Sequence, residues 1–242
     1  MIQVDHIIKQ FGSIHAVDDI SFTVGKGEVL GFLGPNGAGK STTMKILTCF
    51  LRPDSGTAVI GGCDILDDPV GVRRKVGYVP ESVPLYEDMS VGSFLKFICD
   101  VRGIKGQDAA SAIDRVVQQC NIESVYHQVM ETLSKGFRRR VGLAQAFLHD
   151  PEILLLDEPT DGLDPNQKHD VREMIRDMAH DKCIVISTHV LEEVDAVCNR
   201  AIIIARGKVL ADGTPKELSE QGGGKLDVYF RKLTRPKGGN AA

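Results

Sequence analysis

The stretch GPNGAGKST, residues 34–42, constrains the chain more than any other. It fits G-x-x-x-x-G-K-[ST] from Gly34 to Ser41. It is entered from the short apolar run EVLGFLG and leads into KSTTMKILTCF, where Met44, Leu47 and Leu51 recur at helical spacing. Strand, glycine loop and helix in that order belong to an α/β core, with the loop at the carboxyl end of a strand. Gly34, Gly37 and Gly39 let the loop Gly34, Pro35, Asn36, Gly37, Ala38, Gly39 wrap closely around phosphates. The amides that open the following helix, at Lys40, Ser41 and Thr42, point at the anion with the helix dipole behind them. Lys40 is placed to bridge β- and γ-phosphates, and Ser41 to ligate Mg²⁺. The competing reading, a glycine-rich turn that matches by chance, is weakened by the strand before it and the helix after it.

The rest of the chain fits that core. IQVDHIIKQFG and AVDDISFTV carry near-alternating apolar residues separated by Gly, Ser and His, which predicts an antiparallel pair. GTAVIGG and KVGYVP also read as strands. Between Met89 and Leu133 the texture changes to VGSFLKFICDVRG and AASAIDRVVQQCN, with apolar positions three and four apart and Gly or Asn at their ends, so these are helices. Beyond them EILLLDEP, NQKHDVREMIRDMAH, CIVISTH and VLEEVDAVC alternate strand and helix, which predicts a mostly parallel sheet covered on both faces. RAIIIARGKVLADG reads as a hairpin turning at Arg206 and Gly207, and GTPKELSE starts a short helix. KLDVYFRKLT fits a helix through Leu226, Phe230 and Leu233 and a strand through Leu226, Val228 and Phe230; QGGGK before it is a joint. The expected architecture is therefore α/β: a mostly parallel core sheet, an N-terminal antiparallel β subdomain and an inserted α-helical subdomain at about 89–145. One domain spans 1–220, with a short, partly flexible extension at 221–242.

Three further stretches carry chemistry. ILLLDE places Asp157 at the carboxyl end of an apolar strand, where a carboxylate can hold a Mg²⁺ shell, and Glu158 next to it, where a base can accept a proton from water. Two acids after a strand mean little alone; beside a phosphate loop they point to hydrolysis of a nucleoside triphosphate. His189 follows another buried strand and can orient the water, although a lone His there is more often a surface or capping residue. In ETLSKGFRRRVGLAQA, Ser134 opens a helix and Gly136 permits close approach. Three arginines in the first turns oppose the helix dipole, an odd choice unless an anion or acidic neighbours are near. Since the phosphate loop already cradles one nucleotide, a second anion site there points to the nucleotide of another chain.

The series GPNGAGKST, LSKGFRRRVGLAQA, ILLLDEPTDGLDP and STH, in that order, resembles the ATPase subunit of ATP-binding-cassette (ABC) transporters, over about residues 2–220. The resemblance implies a P-loop NTPase fold in which two cassettes pack head to tail around two ATP molecules and Mg²⁺. Each ATP then lies between one chain's phosphate loop and Ser134 and Gly136 of the other. It implies Glu158 as general base, His189 as the switch histidine, Asp164 in a loop that links the two sites, and Phe11 stacked on adenine, for which core packing is the plain alternative. Three motifs depart from the family pattern, at Lys135 and Phe137, at Glu81 and at Asp161. LSKGF stands for LSGGQ, so Lys135 either adds charge near the partner's nucleotide or points to solvent. Glu81 replaces the usual Gln after GYVP, keeping an oxygen for metal or water but adding negative charge, and Asp161 stands where Ser is common. LSKGF, GYVPE with PLYEDMSV, and the short C-terminal segment are similar to the branch that serves ABC-2 type exporters of the multidrug, polysaccharide and gliding-associated kinds. That branch implies a separate transmembrane permease as partner and a place at the cytoplasmic face of the membrane.

Composition excludes other classes. No apolar run approaches the ~20 residues of a membrane-spanning helix, and MIQVDHIIKQ lacks the features of an export signal. Six scattered cysteines with no C-x-x-C pair argue for reduced, mostly buried thiols. A formal charge of −4 and 5% aromatics give no basic stacking groove, so no nucleic-acid partner is expected, and a soluble ABC-type ATPase acting on nucleic acid or ribosomes is the alternative reading. The basic tail RKLTRPKGG reads as a solvated end that could touch acidic lipid.

Overall fold

The computed structural model describes residues 1–235, so the end of the basic tail lies outside the described residues. In chain order the elements are β1 (Ile2–Phe11), β2 (Ile14–Val24), β3 (Val29–Leu33), α1 (Lys40–Leu47), β4 (Ser55–Ile60), β5 (Cys63–Asp64), α2 (Pro69–Lys75) and β6 (Val76–Val79). There follow α3 (Val91–Arg102), α4 (Gly106–Gln119), α5 (Lys135–Phe147), β7 (Ile153–Asp157), α6 (Pro165–Ala179), β8 (Cys183–Thr188) and α7 (Leu191–Val197). The last are β9 (Arg200–Ala205), β10 (Lys208–Gly213), α8 (Pro215–Gln221) and α9 (Leu226–Thr234).

Two sheets organise these elements. The first is antiparallel, in the order β2-β1-β4-β5; the second runs β10-β9-β3-β8-β7-β6 and is parallel except for β10. The second has no solvent face in its middle, which is why its strands are apolar without alternation. On β7 and β8, Leu154, Leu156, Ile184 and Ile186 pack into the layer made by α3, α4, α5 and α6. Their neighbours Leu155 and Val185 point the other way, into a core shared with α1 and the antiparallel sheet. Each of these side chains is at most 1% exposed, and burying one such residue contributes roughly 1.5–3 kcal/mol. Parallel pairing brings the carboxyl ends of β3, β6, β7 and β8 to one edge, and every catalytic candidate lies on or just beyond that edge.

The inserted helices follow their sequence signals. Ser90 caps α3 by accepting from the Ser93 amide at 3.2 Å, and Gly103 ends it at φ 76°. Ile113, Val116 and Val117 turn one face of α4 into the same core as Phe94 and Leu143. The hairpin of β9 and β10 turns at Arg206 (φ 53°) and Gly207 (φ 76°), both left-handed as a tight two-residue turn requires.

Two local expectations change. The helix after the phosphate loop ends at Leu47, so Leu51 is not on it; Cys49 sits at φ 56°, a left-handed residue that stops the helix. A helix absent from the sequence reading, α2, is capped by Asp68, whose side chain accepts from the Gly71 amide at 2.8 Å, with Pro69 in the first turn. KLDVYFRKLT proves helical: Leu226, Tyr229, Phe230 and Leu233 of α9 pack with Leu218 of α8 and Ile203 of β9.

Candidate nucleotide site

A cavity of about 600 Å³ opens at the carboxyl edge of the parallel sheet. It is lined by Asn36, Gly37, Ala38, Gly39, Lys40, Ser41 and Thr42 of the glycine loop, by Phe11, Ile14 and Ala16 of the first hairpin, and by Glu81, Glu158, Asp161 and His189 from three other strand ends. The loop is pinned by two neighbouring segments and by one bond of its own. The Gly34 amide donates to Thr188 O at 3.2 Å, the Ala38 amide to Pro35 O at 3.1 Å, and the Gly207 amide to Ala38 O at 3.0 Å. Two glycines are required by contact as well as by conformation. A Cβ on Gly34 would meet Ile204 O at 2.5 Å, and one on Gly39, whose φ is 105°, would meet Ala16 O at 2.3 Å. Gly39 is also the cap of α1, so the first turn of that helix opens toward the cavity.

Lys40 is 6% exposed and reaches back over the loop. Its Nζ donates to Gly34 O at 2.8 Å and to Pro35 O at 3.4 Å, and lies 3.4 Å from Glu158 Oε1. Gly34 and Pro35, expected to touch phosphate, thus serve here as carbonyl anchors for the lysine and do not line the cavity. Glu158 follows β7 with φ 49°, a left-handed value that a residue with a side chain rarely adopts. Its other oxygen, Oε2, lies 3.0 Å from His189 Nδ1. The carboxylate therefore sits between the lysine and the histidine, at the mouth of the loop. Asp157, 1% exposed, lies behind it, with Oδ1 accepting from the Ser187 hydroxyl. Below His189, the Thr188 hydroxyl donates to Glu193 Oε2 at 2.6 Å and accepts from the Val190 amide at 3.0 Å, which fixes the turn that carries the histidine. Burial pushes the Glu193 carboxyl above its usual range.

Phe11 is 49% exposed, so the core-packing alternative for it fails: an aromatic ring stands at the cavity rim, with Lys9 Nζ 5.6 Å from its centroid. Ile14, also exposed, is its cross-strand partner in the hairpin. The two-residue turn Gly12–Ser13 makes that pairing and is the sequence signal that places Ile14 and Ala16 at the cavity. Asp161 was noted only as a departure, yet it lines the cavity.

Ser134, Gly136 and Asp164 do not line it. They gather on a separate face, where the starts of α5 and α6 meet. Ser134 caps α5 by accepting from the Phe137 amide at 3.3 Å, and Asp164 caps α6 by accepting from the Gln167 amide at 3.0 Å. A Cβ on Gly136 would meet the Gln167 side chain at 2.3 Å. Lys135 lies at the surface, its side chain 68% exposed and its Nζ 3.2 Å from Asp161 Oδ2, so the two departures are partners within one chain.

The inference that the arginines of α5 hold an anion needs correction. Arg138 is engaged by Leu133 O, Glu131 O and Glu87, and Arg140 pairs with Asp170 at 2.8 Å. Arg139, far from a solvated first turn, is 5% exposed and donates only to backbone carbonyls. Burial lowers its pKa, while Asp157, Asp161, Glu158 and Glu81 oppose that shift, so the acidic-neighbour explanation of the basic run holds.

Among the described residues no group of three or more His, Cys, Asp or Glu forms a metal site. Ser41 and Glu81 face one cavity and Asp157 stands at its back. These are hard oxygen donors in the small number Mg²⁺ takes from protein when phosphates and water complete its shell, so the residues fit that ion.

Comparisons with known proteins bear on the family and the fold. Residues 17–161 match the family model described as ABC transporter. The chain is 35% identical over 222 residues to a probable multidrug ABC transporter ATP-binding protein, YbhF, of Escherichia coli strain K12, covering 91% of this chain and 38% of that one. It is 37% identical to the Nod factor export ATP-binding protein I of Burkholderia lata, covering 93% of this chain and 75% of the relative. A solved structure of an ATP-binding subunit of an ABC transporter superposes with a TM-score of 0.88 at 28% identity, covering 97% of this chain and all of the other. The chain thus spans well under half of the E. coli relative and about three quarters of the Burkholderia one.

Proposed function

The chain belongs to the ABC transporter family, and we propose that it binds and hydrolyses ATP to drive an exporter whose transmembrane path lies in a separate permease. The observation that carries this is the meeting of the glycine loop, Lys40, Glu158, His189 and Phe11 around one cavity. Phe11 offers a face for adenine stacking, and the loop amides with the open first turn of α1 cradle the phosphates. Lys40 exchanges its carbonyl and carboxylate partners for phosphate oxygens. Glu158, held at the mouth of the loop, accepts a proton from the attacking water, and His189, tied to Glu158 Oε2, orients the pair. Ser41, Glu81 and Asp157 would hold Mg²⁺, which, when bound, neutralises charge on the phosphates.

Since Ser134, Gly136 and Asp164 gather on one face away from the cavity, the second half of each site is proposed to come from another copy of the chain, or a homologous cassette, packed head to tail. Gln167, which covers Gly136, has to shift for that contact. Among the described residues no helix is long and apolar enough to cross a membrane. A groove of about 820 Å³ between α1, α2 and α3, with Phe50 80% exposed beside Val70 and Val101, supports docking of a short permease helix. The cassette would then sit at the cytoplasmic face of the membrane. The alternative of a nucleic-acid-directed ATPase is not favoured, since the relatives carry names of multidrug and Nod factor export.

The test is assembly. The Glu158→Gln variant with Mg²⁺ and ATP is expected to elute as a dimer in size exclusion, and adding Ser134→Arg is expected to return it to monomer. A monomer throughout, measured also with the co-expressed permease, would remove the dimeric reading.

A further inference from the structure

Arg139 lies in the second turn of α5, yet its side chain leaves that helix and ends between two strand termini. All five of its N–H groups are used: Nε donates to Pro159 O at 3.0 Å, Nη1 to Pro80 O at 2.7 Å and Glu81 O at 2.9 Å, and Nη2 to Asp157 O at 2.6 Å and Glu158 O at 2.5 Å. A guanidinium has five donors in a rigid plane, so no other side chain can serve both segments together. One segment follows β6 and carries Glu81; the other follows β7 and carries Glu158. Both carboxylates line the nucleotide cavity, whereas the guanidinium itself does not.

The left-handed backbone at Glu158 is the point where this matters. Such a conformation in a residue with a side chain is unfavourable by about 1–3 kcal/mol and persists only where the surroundings over-determine it. Three contacts do so here: the Glu158 amide donates to Ser187 O at 3.0 Å, and its carbonyl accepts from Arg139 and, within its own turn, from the Asp161 amide at 3.1 Å. The first ties Glu158 to β8; the second ties it to α5, whose N-cap is Ser134.

We infer that Arg139 is a positioning residue that fixes the backbone of Glu158 and Glu81 relative to each other and to the serine-bearing start of α5. This rests on the proposed role of Glu158 as base. In the head-to-tail arrangement, a shift of α5 when its serine meets the partner's nucleotide is passed through this guanidinium to the base of its own site. Arg139 touches neither phosphate nor water, so it governs the placement of the base and leaves nucleotide binding to the loop.

The test uses the full chain with Arg139→Lys, which keeps charge and stem but cannot bridge both segments, and Arg139→Gln, which loses the charge as well. Circular dichroism checks folding, a fluorescent ATP analogue gives Kd, and phosphate release gives kcat and KM. The expected result is Kd and KM within about twofold of wild type and kcat lower by about 100-fold, the effect of misplacing a reacting group by an ångström. Amide exchange at residues 158–161 should rise in both variants. A folded Arg139→Lys with wild-type kcat overturns the inference, and so does a Kd that weakens in step with kcat. If neither variant folds, Arg139 is a folding residue only and the inference also fails. A wild-type chain that does not hydrolyse ATP, or a Glu158→Gln variant that hydrolyses as wild type does, would instead defeat the function proposed above.

Discussion

Replacing Glu158 by Gln is expected to move binding and turnover in opposite directions. In the structure the Glu158 carboxylate pairs with Lys40, Oε1 lying 3.4 Å from Nζ with the two side chains 10% and 6% exposed, so a bound phosphate would have to compete with it for the lysine. At that distance the bare attraction is about 5 kcal/mol for an effective dielectric constant of 20. Most of it is offset by the desolvation both groups have already undergone, and a net competition of roughly 1 kcal/mol corresponds to about a fivefold tighter Kd for ATP once the charge is gone. Gln keeps an oxygen to accept from His189, so the cavity wall should hold its shape. What disappears is the base, and turnover should fall about 100-fold or more. Titration with a fluorescent ATP analogue and a coupled phosphate assay on the same preparation read both quantities. Unchanged turnover would show that another group takes the proton. Weaker binding would show that Glu158 does not hold Lys40 away from the nucleotide.

Other perturbations follow from single contacts. Phe11→Ala should weaken ATP about tenfold, from the roughly 1–3 kcal/mol of base stacking, while kcat at saturation stays the same; an unchanged Kd in the same titration would remove Phe11 from the adenine site. Gly39→Ala should abolish ATP binding while far-ultraviolet dichroism stays native, because its Cβ would meet Ala16 O at 2.3 Å in a left-handed backbone. His149 is held near pKa 4, against an ordinary 6.5, chiefly by burial, with Arg102 adding to the depression. The unfolded chain binds the proton first, so stability present above pH 6.5 is lost as pH falls toward 4, by about 2 kcal/mol at pH 5. Urea midpoints at pH 7 and 5 should therefore differ less in His149→Gln than in wild type. Glu193 is shifted the other way, its folded pKa raised by burial, so its contribution to stability declines as pH rises from the unfolded value through the folded one. Glu193→Gln, which can keep the Thr188 contact, should raise Tm at pH 8 more than at pH 5.

The sequence spoke most clearly where one residue type answers to one local demand. Glycine at Gly39 and apolar residues on both faces of β7 are such cases, because the left-handed turn and the two-sided burial leave no alternative. Gly103 and the Arg206–Gly207 turn are also read from neighbours in the chain. It spoke less clearly for α2, whose single buried residue, Val72, gives no periodicity. Leu51 kept its helical spacing from Leu47 although Cys49 had already turned the chain out of the helix, since spacing alone does not see backbone reversal. For KLDVYFRKLT the apolar positions satisfied both periods, and only contact with β9 and α8 decides between them.

The basic run of α5 shows why the remainder was hidden. Arginine in a first turn opposes the helix dipole by a few tenths of a kcal/mol at a wet surface, and from sequence the plainest remedy for that opposition is a bound anion. The structure supplies a different one, in which the carboxyl ends of β6 and β7 turn five carbonyls, and the acids beside them, toward Arg139. Those acceptors lie 18 to 59 residues away along the chain, and no local pattern marks them, because any residue provides a carbonyl. The same geometry explains why the serine-bearing helix and the base, so distant in sequence, need not be read as two independent motifs. One buried cation holds the start of α5 and the two carboxylate-bearing strand ends in a single body, and in the proposed head-to-tail dimer this is the route by which a contact at Ser134 would reach Glu158.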